Sequence, residues 1–242
     1  MNSEFEATWR RRFQEFALDH EDDARIAGWS EAGLQARRQN FLRGWRPTQK
    51  GGLWLDAGCG AGTYSQVMAM AGQEVLGLDY SEPSLARARA RPSQASISWI
   101  AGNVTNLPIS SGVCDGAICF GVLQALSDPE RAISELARVV RPGGQVWVDA
   151  LNANCLPNAT RRALSKVRGS KTRVRYDFPN HLKGVFEKNG FRQIRIAWIP
   201  ISPRPLRVLQ PLFESSPVVR LLKVSPWLGS AVSHAYVVSG ER

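Results

Sequence analysis

The residues best able to do chemistry lie in one short loop, where Asp56 is followed by Gly58, Gly60 and Gly62. Glycines let the chain turn sharply and let a ligand approach the backbone. Dinucleotide sites use the pattern GxGxxG, but the third glycine of that pattern would fall at Thr63, so the match fails. The carboxylate of Asp56 would repel a pyrophosphate, whereas it suits a ligand that carries a cationic amino group.

Two further polar residues come at the ends of the next predicted strands. Asp79 lies 19 residues after Gly60, where a carboxylate can accept hydrogen bonds from both hydroxyls of a ribose. The side-chain carbonyl of Asn103 could accept from the exocyclic amine of adenine, and the N–H of Val104 could donate to a ring nitrogen. Helix capping or turn formation is the alternative role for these side chains. Together they favour S-adenosylmethionine, which has an ammonium, a sulfonium and no phosphate.

An alternation of short apolar strands and amphipathic helices positions these residues. It predicts an α/β fold with a parallel, doubly wound sheet, in which ligands bind at the carboxyl ends of the strands. The predicted strands are Leu53–Leu55, Glu74–Leu78, Ile97–Ile100, Cys114–Phe120 and Gln145–Ala150, and the predicted helices are Thr63–Ala71, Glu82–Arg91 and Pro129–Val140. Arg141–Gly144 is interpreted as the loop that ends the last of these helices.

The flanking regions follow different patterns. Residues 1–48 are predicted to be helical, with an amphipathic helix over Glu4–Leu18 and a second helical region over Ala24–Trp45 that breaks near Trp29. After residue 150 the sequence predicts loop and short helix over 151–178. A helix over Pro179–Lys188 and a strand over Phe191–Ile199 come next, and His234–Val238 is the last strand. Six prolines between residues 200 and 230 allow only short helices there.

Five segments, in order and spacing, resemble the successive motifs of class I S-adenosylmethionine-dependent methyltransferases. They are LDAGCGAG at 55–62, GLDYS at 77–81, GNVTNLP at 102–108, CDGAICFGVLQAL at 114–126 and ELARVVRPGG at 135–144. The resemblance is strongest to the small-molecule group that includes the ubiquinone and menaquinone biosynthesis methyltransferases, and it covers about residues 50–150. It implies a Rossmann-like, seven-stranded, mostly parallel sheet with an antiparallel last strand and a C-terminal insertion. The implied domains are a helical cap over 1–48 and a methyltransferase domain over 49–242, with a cofactor half at 50–150 and a basic, acceptor-side region at 151–232.

The resemblance also implies roles for individual residues around S-adenosylmethionine as the cofactor. Asn103 stands where many relatives have Asp, and Gln124 stands where many have His, so a catalytic histidine is absent at that point. Asp56, Gly58, Gly60 and Gly62 are implied to hold the methionine part of the cofactor. Asp79 is implied to bind the ribose, and Tyr80 to pack on the adenine. Asn103 and Val104 are implied to bind the adenine edge, and Phe120 and Gly121 to border the methyl group.

The sequence offers no clear catalytic residue. His181 and His234 are weak candidates for a base, and His20 lies in an acidic stretch that is expected to be solvated. Tyr64 and Gln124 could face the acceptor, although packing is the commoner role for such side chains. No set of carboxylates and histidines has metal-ligand spacing, so no metal is predicted. The catalytic residues therefore stay unassigned.

Charge and composition limit the classes of partner that the protein could have. Apolar residues make up 43% and charged residues 21%, which excludes a disordered chain. The net charge is +10, and residues 155–242 hold 16 Lys and Arg against four Asp and Glu. This basic third suggests an anionic partner. A small-molecule or lipid- or sugar-linked biosynthetic acceptor is favoured. The segment 205–228 could lie on an anionic membrane surface, and its alternative is a cap packed over the pocket.

Two other functions remain open. The stretch 161–175 would suit the phosphates of RNA, although it lacks interleaved aromatics for base stacking. A non-catalytic cofactor-binding relative is the second alternative. Without a long apolar run or a signal-peptide core, and with four cysteines that lack zinc spacing, the protein is expected to be cytoplasmic, or peripheral at the membrane.

Overall fold

A computed structural model of the chain describes residues 4–20, 23–47, 49–92, 97–167, 174–200, 208, 210–213 and 215–242. Within these ranges, seven strands form a single sheet in the order β3-β2-β1-β4-β5-β7-β6. The first five strands run parallel to their neighbours, while β7 is antiparallel to both β5 and β6. The predicted Rossmann-like fold with an antiparallel last strand is thereby confirmed. The strands are β1 (Leu53–Ala57), β2 (Glu74–Asp79), β3 (Ile97–Ala101), β4 (Cys114–Cys119), β5 (Val140–Leu151), β6 (Arg192–Ile199) and β7 (Ala235–Glu241).

Helices cover both faces of the sheet, as short crossovers between parallel strands require. Most agree with the sequence prediction to within a residue or two, and Ser81 caps α5 by accepting from the N–H of Ser84. The helices are α1 (Glu4–Asp19), α2 (Asp23–Ile26), α3 (Glu31–Gly44), α4 (Thr63–Met70), α5 (Glu82–Ala90), α6 (Pro129–Val139), α7 (Leu156–Val167), α8 (Pro179–Lys188), α9 (Gln210–Phe213), α10 (Ser216–Val224) and α11 (Pro226–Val232).

One segment differs from the sequence prediction. The predicted loop Arg141–Gly144 lies inside β5, where the register shifts between Cys114 and Gly116 of the neighbouring strand. Two backbone hydrogen bonds join Gly143 and Gly144 to Arg242, so the extra residues form a bulge in the strand. Residues 151–178, predicted as loop and short helix, contain α7 over 12 residues, and residues 168–173 of the basic stretch lie outside the described ranges.

Alternating residues of each strand enter two separate cores, one on each face. On one face, Leu55 and Val148 pack with Leu136 of α6 and Phe186 of α8. On the other face, the fully buried Phe41 of α3 is the centre of an aromatic cluster. Its ring lies 5.1 Å from Trp45 in a stacked arrangement, and it meets Tyr64, Phe120 and Trp147 edge-on at 5.6–5.9 Å. The N-terminal helix α3 is therefore part of the main core.

No helix in the described ranges combines the length and the apolar character that crossing a bilayer requires.

Candidate functional site

A cleft of about 990 Å³, partly open to solvent, lies at the carboxyl ends of β1, β2 and β4. Gly62 is the one predicted site residue that does not line it. Its φ is +81°, it precedes α4, and a Cβ there would lie 2.5 Å from the ring of Trp99. Gly62 therefore serves the packing of the loop rather than the wall of the cleft. The other nine predicted residues all line it: Asp56, Gly58, Gly60, Asp79, Tyr80, Asn103, Val104, Phe120 and Gly121.

Backbone hydrogen bonds hold the glycine loop against the end of β2. The N–H groups of Gly58 and Cys59 both donate to the carbonyl of Leu78, at 2.7 and 3.0 Å. Gly58 and Gly60 have φ angles of +80° and +53°, in the left-handed region that glycine adopts without strain. A Cβ on Gly60 would meet no atom within 4 Å, so the space beside it is open.

Asp79 fastens this loop through its side chain. Its Oδ2 accepts from the N–H of Gly60 at 2.8 Å, and its Oδ1 accepts from the N–H of Ser81 at 2.8 Å. Burial raises the pKa of Asp79, while these backbone donors oppose the rise. A carboxylate has about four acceptor positions, so each oxygen of Asp79 keeps one for a ligand. The residue predicted to bind a ribose is thus also a support of the glycine loop.

Asp56 ends β1 beneath the same loop and is almost fully buried. Its Oδ2 accepts from the hydroxyl of Ser65 at 2.6 Å. Burial raises the pKa of Asp56 to about 7, and the neighbouring charge of Asp79 adds to the rise. Burial disfavours the charged form of the Asp56 carboxyl group. A cationic ligand group beside the carboxylate would stabilise this charged form.

Asn103 has the turn-forming role that was the alternative to binding adenine. Its Oδ1 accepts from both the N–H and the hydroxyl of Thr105, each at 3.0 Å, in an Asx turn. These two bonds use both lone pairs of the oxygen. The group predicted to accept from the adenine amine is therefore engaged, and the amide nitrogen of Asn103 and the N–H of Val104 are the groups left for a ligand.

Helix α1 forms the outer wall of the cleft. Trp9, Arg10 and Phe13 line it, and the guanidinium of Arg10 lies 5.2 Å from the ring centre of Tyr80. Polar contacts hold the helix in place. Near its start the carboxylate of Glu6 accepts from the N–H of Ser127 at 2.8 Å and also from the hydroxyl of that residue. At its other end, the carbonyls of residues 17 and 18 accept from Arg87 of α5.

A buried ion pair supports the strand end opposite the glycine loop. Arg37 of α3 donates to Oδ2 of Asp149 at 2.6 Å, and both side chains are nearly inaccessible to solvent. The other oxygen of Asp149 accepts from the N–H of Gly121 at 2.6 Å. Arg37 also lies 4.4 Å from the ring centre of Trp29. Sequence reasoning missed this arrangement, because no local pattern connects two residues 112 positions apart.

The sequence profile of the Methyltransferase domain family matches residues 55–148, which include the glycine loop, Asp79, Asn103 and Gly121. The chain contains a class I S-adenosylmethionine-dependent methyltransferase domain. Among curated relatives, a malonyl-[acyl-carrier protein] O-methyltransferase of Serratia marcescens is 35% identical over 55% of this chain and 52% of its own length. A ubiquinone biosynthesis O-methyltransferase of Bordetella avium is 37% identical over 41% of this chain and 43% of its own. The chain thus matches about half the length of these relatives.

Solved structures of methyltransferases share the fold over the whole chain. The magnesium protoporphyrin IX methyltransferase of Synechocystis with bound S-adenosylhomocysteine superimposes with a TM-score of 0.61. It covers 98% of this chain and 95% of its own at 18% sequence identity. The likeness therefore extends to the described helices and strands on both sides of the region that the family profile matches.

S-adenosylmethionine is the cofactor of the methyltransferase domain, and the residues present fit it. The cleft offers the buried carboxylate of Asp56 for an ammonium and the free acceptor positions of Asp79 for ribose hydroxyls. The open space beside Gly60 allows close approach to the backbone. When bound, the cofactor supplies an electrophilic methyl group on a sulfonium.

The pH dependence of cofactor binding follows from Asp56. Between about pH 4 and pH 7 the folded protein holds a proton on Asp56 that the unfolded chain has released, so this group's contribution to stability falls as the pH rises. Binding has the opposite trend if the ammonium needs the carboxylate. We expect S-adenosylhomocysteine to bind roughly eightfold more tightly at pH 7.5 than at pH 6, measured by calorimetry. The Asp56→Asn variant should bind weakly at both pH values, and an equally steep dependence in that variant would contradict the assignment.

Alanine substitutions at two glycines separate the effect of an added Cβ on the backbone from its effect on ligand binding. Gly60 and Gly72 both have positive φ and open space around a Cβ, but only Gly60 lines the cleft. An alanine in the left-handed region costs about 1–2 kcal/mol, so both alanine variants should lose stability in urea titrations. We expect only Gly60→Ala to lose affinity for S-adenosylhomocysteine, by at least about tenfold. An equal loss in Gly72→Ala would show that loop strain, and not contact, governs binding.

The titratable side chains in and beside the cleft limit the possible catalysts. Burial raises the pKa of Tyr64, so its phenol stays protonated and can donate a hydrogen bond but cannot act as a base. Burial likewise raises the pKa values of the Cys59 and Cys119 thiols, and the charges of nearby carboxylates raise them further. Neither thiol is therefore an activated nucleophile. His181 lies away from the cleft, 3.2 Å from the carboxylate of Glu130.

Proposed function

We propose that the chain transfers the methyl group of S-adenosylmethionine to a small-molecule biosynthetic acceptor. One observation carries the proposal: the motif residues of the methyltransferase domain and the aromatic side chains of the N-terminal helices line the same cleft. Trp9 and Trp29 are among the aromatic side chains that line it, so a flat or apolar acceptor would be held beside the sulfonium. The relatives named as malonyl-carrier and ubiquinone O-methyltransferases support a small-molecule substrate.

Alignment is the main catalytic contribution in this proposal. In the displacement, the bond between carbon and sulfur breaks while the acceptor atom bonds to the methyl carbon, so acceptor, carbon and sulfur must lie in line. Phe120 and Tyr64, whose rings are 4.9 Å apart, would shape the methyl end. The buried Oε1 atom of Gln124 has no hydrogen-bond partner in the part of the chain that the structure describes, so in this proposal it accepts a hydrogen bond from the hydroxyl or amine of the acceptor.

Transfer of labelled methyl groups tests the proposed function. The protein is incubated with methyl-labelled S-adenosylmethionine and with separate cell-extract fractions that contain small metabolites, lipids, RNA or protein. We expect label in the metabolite or lipid fraction, and none with the Asp79→Ala variant. Label only in RNA would favour the RNA alternative. Tight binding of S-adenosylhomocysteine with no transfer to any fraction would overturn the enzymatic proposal in favour of a cofactor-binding relative.

A lipid-linked acceptor is supported by the surface of α10 and α11. Leu221, Val224 and Trp227 are exposed there, Trp227 by 75%, and the exposed cations Arg220 and Lys223 lie on the same two-helix segment. Apolar side chains interspersed with cations suit an anionic lipid surface. Residues 201–207 of the basic, proline-containing segment lie outside the described ranges. The exposed apolar and cationic side chains named here belong to α10 and α11.

Vesicle binding tests this surface. We expect the protein to co-sediment with vesicles that contain phosphatidylglycerol and not with pure phosphatidylcholine. The Trp227→Ser variant should bind the anionic vesicles at least about fivefold more weakly, because it loses the largest apolar side chain of the surface. Met70→Ser is the matched control, since Met70 is 83% exposed on α4. Equal binding of all three proteins would contradict a membrane role for α10 and α11.

RNA is the weaker alternative. Of the basic stretch 161–175, the guanidinium of Arg162 donates to the carbonyl of Ala153 at 3.0 Å and lies over the ring of Phe178. Arg175 forms an ion pair with Asp177 at 2.8 Å. Both cations are thus committed to contacts within the protein, which weakens the electrostatic argument for phosphate binding.

A further inference from the structure

A second cavity, which we term the side cavity, opens beside the cofactor cleft. It has a volume of about 750 Å³, partly open to solvent, and it shares the walls Trp9, Ala27 and Trp29 with the cleft. The two cavities therefore meet at these three residues. The walls that belong to the side cavity alone include Arg37, Gln124, Arg161, Val174, Tyr176 and His234.

The charges around the side cavity are predominantly positive. No Asp or Glu is among the described residues that line it. The charge of Arg37 is compensated by Asp149, but Arg161 has no ion-pair partner among the described residues. Arg161 belongs to α7, where its side chain is exposed at the rim. The cavity therefore presents one uncompensated cation to whatever enters it.

His234 directly precedes β7 and is neutral at physiological pH. Burial, together with the positive charges of Arg37 and Arg161, lowers its pKa to about 4. A neutral imidazole can donate one hydrogen bond and accept another. Beside a cation, such a side chain suits an anion, because the anion accepts from the imidazole N–H and is attracted by the guanidinium.

Two buried polar atoms of the wall have no hydrogen-bond partner among the described residues. They are the indole Nε1 of Trp29, a donor, and the Oε1 of Gln124, an acceptor. A third, the hydroxyl of Tyr64, lies on the side of the cofactor cleft. Buried polar groups without a hydrogen bond are costly. Their grouping around the boundary between the two cavities therefore indicates that a polar ligand completes them.

We propose that the side cavity binds the methyl acceptor and that the acceptor carries a carboxylate or phosphate group, which is bound by Arg161 and His234. The inference rests on the proposed methyltransferase function and adds the chemical class of the substrate. The reacting end of the acceptor lies at the Trp29 and Gln124 boundary, and its anionic group lies at the far end of the cavity. The ring faces of Trp29 and Tyr176 favour an aromatic or otherwise flat body between the two ends.

Matched small probes test the charge requirement in the protein saturated with S-adenosylhomocysteine. Phenylacetate, phenyl phosphate and the neutral phenylacetamide are titrated by calorimetry at one ionic strength. We expect at least one anion to bind tenfold or more tightly than the amide, and which anion binds better distinguishes a carboxylate from a phosphate subsite. Arg161→Gln should abolish this preference. Arg162→Gln, one residue along the same helix, should retain it, because Arg162 does not line the cavity.

The outcomes separate this inference from the function on which it rests. Failure of the wild-type protein to bind S-adenosylhomocysteine would overturn the proposed function. If S-adenosylhomocysteine binds, two results would overturn the anionic acceptor alone: no anion binds more tightly than phenylacetamide, or the preference persists in Arg161→Gln. Retained S-adenosylhomocysteine affinity in the Arg161→Gln variant shows that this substitution leaves the cofactor cleft intact.

Discussion

Replacement of Asp79 with alanine should weaken the binding of S-adenosylhomocysteine by a hundredfold or more. The variant loses the acceptors for the ribose hydroxyls, and hydrogen bonds to a charged group contribute about 1.5–3 kcal/mol each. It also releases the N–H of Gly60, which Asp79 holds at 2.8 Å, so the glycine loop loses its support at the same time. Calorimetric titration with S-adenosylhomocysteine measures the effect directly.

Asp115 provides the matched control for Asp79. Its carboxylate also accepts from a backbone N–H, that of Leu53 at 2.7 Å, but it lies at the start of β4 and does not line the cleft. Asp115→Ala should lower the midpoint of urea unfolding and leave affinity for S-adenosylhomocysteine unchanged. A loss of affinity of similar size in both variants would show that general destabilisation, and not ligand contact, explains the Asp79 result.

Replacement of Arg37 with methionine should be the most destabilising of these substitutions. It leaves the carboxylate of Asp149 fully buried without its cation, and breaking a buried pair in this way costs about 3–5 kcal/mol. Urea unfolding of the variant and of the wild-type protein measures the loss.

Two further variants distinguish charge from packing at Arg37. Adding Asp149→Asn to Arg37→Met should recover much of the lost stability, because an amide oxygen can still accept from the N–H of Gly121 and no charge is left buried. Arg89→Met, which breaks the exposed pair with Glu82, should cost no more than about 1 kcal/mol. A double variant as unstable as Arg37→Met alone would attribute the loss to packing.

The elements of the sheet could be predicted because each is encoded locally. Leu53–Leu55 is an apolar run that leads to Asp56 and the glycine loop, and the ten residues assigned to the site lie at or after the ends of the strands that such runs predict. The bulge in β5 could not be predicted in this way, because proline and two glycines after a helix normally indicate a turn. Gly143 and Gly144 are kept in the strand by hydrogen bonds to Arg242, about a hundred positions away.

The cofactor cleft could be predicted more completely than the surrounding walls. The glycine loop and Asp79 lie within a single motif region, whereas the contacts of Glu6 with Ser127 and of Arg37 with Asp149 join distant segments. His234 was recognised only as a histidine at the start of a strand. Its neutral state depends on burial and on the charges of Arg37 in α3 and Arg161 in α7. No spacing along the chain reveals that these residues lie near His234.

The arrangement of Arg37 and Phe41 limits how the protein can be divided. The segment that the family profile matches, residues 55–148, contains neither residue. Asp149 at the end of β5 takes its counter-charge from Arg37, and the aromatic side of the sheet is filled by Phe41. A chain shortened to begin at residue 49 would expose Trp147 and Phe120 and bury an uncompensated carboxylate. The region that carries the family signature is thus not a self-sufficient module, and the N-terminal helices must accompany it in any chimaera or minimal version of the protein.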